Sequence, residues 1–505
     1  MWESFLQGID LALRWDTFAF MSAGLMLGMF VGALPGFTTV MAMALVLPIS
    51  FFLHPLVGIP FLIGVYKGGI YGGSIPAILV GIPGTGAAIA TTFDGPKLTQ
   101  KGQGRKALEM ALYASVFGDF SSDIVTLIMI VPIAAIALLI GPPELTAIIV
   151  LALVIVAAAS SGSLIKGLVM AFAGLMLSMV GQDPLEFMSR FTFGSLQLKS
   201  GIPLLPMMIG LFAIPEILAA IERAGKDRVG KSAGRLHAGE RLHFHEFRRC
   251  FKTICRSTVI GTFMGAVPGV GQPIAAFSGY ASAKNASDHP ERFGKGELEG
   301  IAAPEAANNA VNGPTLVPLL TLGIPGDKIT AILLGAFVAH GLRPGPTLMQ
   351  ENGATVFAIL VAMILANAIF LVLAYISIPL FARIVSIRSH YLVPIIVMFA
   401  FSGSYVYRSD PFDLQILVIF GIIGYFARKL DFDSAPLVMA FILGQILEYT
   451  FGQTMNMADG NVVHYLFTDR LSAGLIYALV PVVLFVLAYR ARQRKIRQRA
   501  MPIDV

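Results

Sequence analysis

Pro76-Ala77-Ile78-Leu79-Val80-Gly81-Ile82-Pro83-Gly84 recurs far along the chain as Pro318-Leu319-Leu320-Thr321-Leu322-Gly323-Ile324-Pro325-Gly326. The spacing from the first proline to Gly-Ile-Pro-Gly is the same in both. Proline has no N–H to give a helix and pushes the residue before it out of the helical region. A helix must therefore break at each motif. Glycine lets the backbone approach a ligand closely. The break bares N–H groups at the start of the next segment, which suits carboxylates. Two further echoes keep the same order. Gly32-Ala33-Leu34-Pro35-Gly36 recurs as Gly265-Ala266-Val267-Pro268-Gly269, and Asp94-Gly95-Pro96-Lys97-Leu98 as Pro344-Gly345-Pro346-Thr347-Leu348. Three ordered matches define an internal repeat. Paired interrupted segments are the sequence pointer to a transporter binding site.

The rest of the chain fits that reading. Charged residues make up 13% of 505 positions, hydrophobic residues 56%, and the mean hydropathy is +0.77. So few polar groups cannot cover a soluble globule of this size, which excludes an ordinary cytosolic enzyme, a disordered chain and a secreted disulfide scaffold. At about 20 residues per span there is room for roughly ten to fourteen crossings. The expected fold is an all-α polytopic membrane protein of two inverted repeats, each with broken helices and a re-entrant hairpin. Glycine (52) and proline (29) are abundant, and broken helices survive in lipid only inside protein or beside a watery cavity.

Basic residues cluster at 222–256, in the tail beyond 490, and at Lys97, Lys101, Arg105 and Lys106. By the positive-inside rule all three patches face the cytoplasm. The segment after the second copy has Glu351 and no basic residue through 360, so the two copies sit on opposite sides and are inverted. The domain reading is an interfacial amphipathic helix at 1–16, a first transmembrane repeat at 17–221 and a basic cytoplasmic loop at 222–256. A second repeat with C-terminal helices follows at 257–489, then a basic tail at 490–505. Apolar segments fall separately at 107–118 and 124–140, and segments too short to cross alone read as half-helices or re-entrant hairpins. Cys250 and Cys255 fall in the basic loop near His243 and His245. Their spacing does not match the usual zinc sites, so they read as incidental thiols.

Candidate chemistry gathers at the breaks. Around the first lie Thr38, Ser74, Pro83, Gly84 and Thr85, and around the second Pro325, Gly326 and Asp327. Pro304 can open a helix and Gly313-Pro314 end it. Glu305, Asn308, Asn309 and Asn312 then share one face. A polar stripe is costly in lipid, so it faces a cavity or a partner helix. Either it coordinates a substrate or cation with carboxylate and amide oxygens, or it is interhelical glue. Lys67 corresponds to Asn309 in the repeat register and lies in Tyr66-Lys67-Gly68-Gly69-Ile70-Tyr71-Gly72-Gly73, a run too glycine-rich for a regular span. It is either a counter-charge for a carboxylate or a residue snorkelling to an interface. Substrate binding is expected at Lys67, Ser74, Pro83, Gly84, Thr85, Asn308, Asn309, Pro325 and Gly326. Glu305, Asn312, Thr38 and Asp327 are expected to bind a coupling ion or substrate. Asp119, Asp123, Glu144 and Glu216 read mostly as interfacial. No metalloprotease pair, phosphate-binding loop or nucleophile elbow is present. An intramembrane aspartyl enzyme would need, besides Asp119, a second transmembrane aspartate in a matching motif, and the sequence has none.

These segments resemble the large membrane subunit of the tripartite tricarboxylate transporters, the TctA family. The matching stretches are Gly32–Gly36, Tyr66–Gly84 with Thr91 through Leu98, Gly265–Tyr280 and, above all, Ala303–Pro346. Gly81-Ile82 stands where many members have asparagine. The resemblance implies a bacterial inner-membrane secondary transporter for di- or tricarboxylates, driven by a Na+ or H+ gradient, with no other cofactor. It implies two partners, a small four-span membrane subunit and a periplasmic substrate-binding protein. An elevator-like mechanism is implied by analogy. The alternatives are a self-sufficient transporter or channel and, further off, an intramembrane enzyme.

Overall fold

A computed structural model describes residues 2–159, 163–184, 186–224, 240–385 and 393–500. Lys226, Arg228, Lys231 and Arg235 of the basic segment lie outside these residues. The described chain is almost entirely helical, and nine of its helices are long and apolar enough to cross a membrane. Four more apolar helices are shorter: Thr39–Ser50, Leu164–Ser178, Lys328–Ala339 and Val393–Arg408. It is a multi-pass all-α membrane protein. The one sheet among the described residues is a two-residue antiparallel pairing, Gly181–Gln182 with Ser189–Arg190.

The chain divides into two compact units, and each draws on both halves of the sequence. The first comprises Met1–Ala134 and Leu205–Tyr425. Its helices include α1 (Trp2–Ala12), α2 (Trp15–Gly32), α3 (Thr39–Ser50), α4 (Pro55–Val80) and α5 (Gly104–Ala137). Later in the chain come α6 (Phe244–Gly265), α7 (Gly271–Ala286), α8 (Glu299–Asn309), α9 (Leu316–Leu322), α10 (Lys328–Ala339) and α11 (Gly353–Ile384). The second unit comprises Ala135–Leu204 and Phe426–Val505. There, helix Ala435–Met457 packs on Pro142–Ala159 and Leu164–Ser178, and Arg190 bridges Asp183 at 3.0 Å and Glu448 at 2.6 Å.

Glycine packing holds the first unit together. Gly24, Gly28 and Gly32 recur every fourth residue on α2 and meet the glycines of α4. Small residues at this spacing let two backbones touch, which replaces a hydrophobic driving force inside lipid. A methyl on Gly28 would sit 2.3 Å from the Val65 carbonyl oxygen, and one on Gly32 2.6 Å from that of Gly69. The second copy repeats the device. A methyl on Gly261 of α6 would sit 2.1 Å from the Ala307 carbonyl oxygen, and one on Gly265 2.7 Å from that of Val311. In the repeat register these are the same four positions. The sequence repeat is thus a repeat of packing.

Several expectations change. The glycine-rich run 66–73 does not interrupt α4, which stays helical from Pro55 to Val80 and is buried throughout its apolar window. Its glycines serve close approach to α2. The two apolar segments expected at 107–118 and 124–140 are parts of one 34-residue helix, α5. Asp119 and Asp123 do not end a span there, because both are buried and paired. The basic segment is helical from Phe244, where His243 and Glu246 form a capping box, and Cys250 is fully buried. The amphipathic N-terminal helix forms at Trp2–Ala12 and lays Gly8 and Ala12 inward. Phe5 meets Phe357 of α11 edge-on at 5.4 Å.

Candidate functional site

Two breaks with matching backbones organise the site. Gly81 ends α4 at φ +74° and Gly323 ends α9 at φ +71°. These left-handed values favour glycine. Gly36 and Gly269 match in the same way at +85° and +83°. Four segments start just after these four turns: α3 and α7 after the first motif of each copy, the 3-10 turn Ala87–Phe93 and α10 after the second. They pair crosswise, α3 with α10 and α7 with Ala87–Phe93. Backbone bonds lock the turns: the Gly84 N–H donates to the Gly73 carbonyl at 3.0 Å, and the Gly269 N–H to the Gly326 carbonyl at 2.7 Å. Neither motif glycine has room for a side chain. A methyl on Gly84 would lie 2.6 Å from the Gly32 carbonyl oxygen, and one on Gly326 2.0 Å from the Thr315 hydroxyl.

Side chains at the breaks are partly committed to capping. Thr38 accepts from the Met41 N–H and caps α3. Thr85 accepts from the Ala88 N–H at 3.2 Å. Asp327 caps α10 by accepting from the Thr330 N–H at 2.7 Å, and its other oxygen accepts from the Tyr66 hydroxyl at 3.2 Å. Gln272, at the start of α7, donates to that same hydroxyl at 2.5 Å. One chain of hydrogen bonds therefore joins α4, α7 and α10. Pro83 is half-buried, and Pro325 and Gly326 are buried.

The polar stripe is buried, and it departs from the expected helix. α8 begins at Glu299, not at Pro304, and ends at Asn309. Asn312 therefore lies in the unwound stretch that leads to α9, where Gly313-Pro314 stops helix propagation. Glu305 is 0% exposed. Its carboxylate accepts from Thr91 at 2.5 Å and Ser115 at 3.4 Å. Asn309 donates to Ser115 at 2.9 Å and to the Glu305 carbonyl at 3.0 Å. No basic side chain lies within ion-pair distance of Glu305 among the described residues. Asn308, one turn on, is buried with neither amide atom paired, and Ser74 and Thr315 have unpaired hydroxyls. Buried polar atoms are normally satisfied by protein or ordered water, which makes these three side chains candidates for ligand contact.

Lys67 is also completely buried, so it does not snorkel. Its ammonium lies 2.6 Å from Asp123 and 2.8 Å from Asp119. Asn312 donates to Asp119 at 3.2 Å, and Asn367 of α11 to Asp123 at 2.7 Å. The lysine's charge is already met inside the protein. Asp119 and Asp123 are not interfacial, and the second aspartate close to Asp119 shares this lysine instead of forming a bare acid pair. Among the described residues, no three His, Cys, Asp or Glu side chains converge as metal ligands.

Compared with known protein families, residues 18–439 match the tripartite tricarboxylate transporter TctA family. The chain belongs to that family. An uncharacterized 52.8 kDa protein in the TAR-I ttuC' 3' region of Agrobacterium vitis is 34% identical over 97% of this chain and 96% of its own length. A second Agrobacterium vitis protein, uncharacterized and in the TAR-II ttuC' 3' region, is 36% identical over 45% of this chain and 94% of its own length. No solved structure matches. This TctA protein is a transporter component of the membrane, and its family places it in assemblies of several subunits.

Two features of the site are not legible in the sequence. Asp123 and Asn367 were not singled out as a pair, because an i, i+4 relation to Asp119 gives no hint that a lysine on α4 lies between the carboxylates. Asp94 was read only as part of an echo. Its buried carboxylate accepts from the backbone N–H groups of Gly294, Gly296 and Glu297 at 2.8–3.0 Å and from the Tyr280 hydroxyl at 2.9 Å. Lys97 and Lys101 donate to the carbonyls of Gly294 and Lys295. The first copy thus clasps the loop that leads into α8.

Proposed function

We propose that this TctA protein is the permease subunit of a cation-coupled, binding-protein-dependent carboxylate importer of a bacterial inner membrane. The observation that carries the reading is Glu305: a buried carboxylate surrounded by hydroxyls, without a basic partner, one helical turn from an amide with no partner at all. A bare charge in low dielectric is costly. A bound Na+ or H+ removes that cost. The anion then has the backbone N–H groups that start α3 and α7, where the helix dipole favours negative charge. Without the cation, an incoming carboxylate would meet Glu305 as a like charge. Coupling is therefore a consequence of the charge pattern.

In this reading Ser74, Pro83, Gly84, Thr85, Asn308, Asn309, Pro325 and Gly326 line the carboxylate path, and Glu305 with Asn309 holds the cation. Thr38 acts by capping α3, whose N-terminus faces the anion, and Asp327 by capping α10 and tying it to Tyr66. All of these residues fall in the first unit, which suits an elevator-like movement of that unit with its cargo. A small four-span subunit and a periplasmic binding protein complete the assembly.

The test is reconstitution of the chain with its two partner subunits. Citrate, succinate or tartrate uptake is then measured under imposed Na+ or H+ gradients. Uptake is expected only with the binding protein and only with a cation gradient. Asn308→Ala is expected to lower uptake at least tenfold. Full transport by Asn308→Ala and Glu305→Gln would remove the site from this location. Uptake without the binding protein would remove the tripartite reading.

A further inference from the structure

The cluster around Lys67 is not electrically complete. Two carboxylates, Asp119 and Asp123, face one ammonium, so with all three ionised the cluster carries one negative charge. It is buried to within 2% exposure at every charged member. Hydrogen bonding is incomplete too. Asn312 and Asn367 each turn the amide nitrogen to a carboxylate, as the chemistry demands. Their carbonyl oxygens are left without a donor, as is the second oxygen of Asp123. That makes three unpartnered oxygens, one each from α5, the unwound stretch after α8, and α11. Asn312 is 0% and Asn367 1% exposed, so bulk water does not serve them.

Other details point the same way. Asp123 Oδ1 and Thr126 Oγ1 lie 2.7 and 2.8 Å from the point a Gly313 methyl would occupy, so these two oxygens crowd one spot against backbone. The unwound stretch directly follows the C-terminus of α8, the negative end of its dipole. Unwound backbone at helix C-termini is where transporters hold coupling cations. Carboxylate, amide and hydroxyl oxygens are hard ligands suited to hard cations. A single proton on Asp123 can serve at most two of these oxygens, whereas a hard cation accepts lone pairs from as many carboxylate, amide and hydroxyl oxygens as reach it.

We infer that the Asp123–Asn312–Asn367 face of the Lys67 cluster binds one Na+, at a site separate from Glu305. Lys67 then acts as a fixed charge that leaves the cluster one cation short. This deepens the cation-coupled reading above. Its test reads Na+ binding in the absence of substrate, so it stands or falls apart from carboxylate uptake.

The experiment uses the full chain in nanodiscs. Thermal unfolding is followed from 0 to 200 mM NaCl, with choline chloride keeping ionic strength constant. A ligand that binds only the folded state raises the midpoint with its concentration. Glu305→Gln silences the first site, so its remaining Na+ response reports the cluster. That response is expected to persist in Glu305→Gln and to vanish in Glu305→Gln/Asp123→Asn and Glu305→Gln/Asp119→Asn. Removing the fixed charge with Lys67→Met should move the response to at least tenfold lower Na+. Lys67→Met/Asp119→Asn, again one charge short, should return it to the range of the unsubstituted cluster. Glu305→Gln/Thr126→Val guards against misfolding of the aspartate variants: it keeps both carboxylates and should raise the Na+ midpoint of Glu305→Gln several-fold. Loss of the response in Glu305→Gln alone would assign the cation to Glu305 and overturn the proposal. So would a uniformly lower melting temperature in Glu305→Gln/Asp123→Asn with the Na+ response of Glu305→Gln intact, which is the behaviour of a structural ion cluster. Stabilisation by acid but not by NaCl would overturn it as well.

Discussion

A carboxylate held by hydroxyls is oriented without being neutralised, and this makes Glu305 sensitive to single atoms. Thr91 donates to it at 2.5 Å. Thr91→Val keeps the shape and removes the donor, and a hydrogen bond to a charged group is worth about 1.5–3 kcal/mol. The donor stabilises the bare carboxylate more than the cation-bound one, so the cation concentration for half-maximal uptake is expected to fall, by up to roughly tenfold to a hundredfold, with the amount of folded protein unchanged. An unmoved midpoint would mean that Glu305 does not hold the cation. Cys250 allows a quieter test outside the spans. Burial pushes its thiol up to about 12, so at pH 8 it carries almost no thiolate. Intact mass should show no maleimide on a Cys255→Ser variant until the protein is unfolded. None of this is legible in the residue pattern, which does not separate a basic loop from the buried face of a helix that begins at Phe244.

Among elements, the deciding contact is α2 against α4. Alanine is normally a better helix former than glycine by roughly 0.5–1 kcal/mol. At Gly28 the sign should reverse, because the new methyl would lie 2.3 Å from a backbone carbonyl oxygen and overpacking costs about 1–3 kcal/mol. Gly28→Ala and its counterpart Gly261→Ala should both lower the melting temperature, and equal stability in either would break the equivalence of the two copies. The loop clasp is a second element-scale device. Asp94→Asn keeps the size but turns an amide N–H2 toward backbone donors. A loss on the order of 3 kcal/mol is expected, seen as faster hydrogen exchange confined to residues 293–298. The motifs themselves were legible, since Pro83 and Pro325 leave a helix no choice. The role of the glycines between them was not. Composition treats glycine as a breaker, and only the neighbouring helix reveals that Gly64, Gly68 and Gly72 are where two backbones touch.

For the whole molecule, repetition told more than composition did. The charge scarcity required a membrane, and the paired motifs required two broken copies. Which helices join into which compact unit could not be read, because each unit takes segments from both halves of the chain. The orientation of the copies can be argued from charge alone. Lys97, Lys101, Arg105 and Lys106 surround the end of the first break, and basic residues near spans stay in the cytoplasm. The equivalent stretch of the second copy, around Glu351, is without them. Lys101 and Gln350 are both exposed, so each can report its side. In a Cys250→Ser/Cys255→Ser background, Gln350→Cys should react with a membrane-impermeant maleimide added to intact spheroplasts. Lys101→Cys should react only after the membrane is opened. Labelling of both from the same side would make the copies parallel. α3 and α7 could then not present their N-termini to one carboxylate from opposite faces of the membrane, and the crosswise pairing of α3 with α10 and of α7 with Ala87–Phe93 would need another purpose.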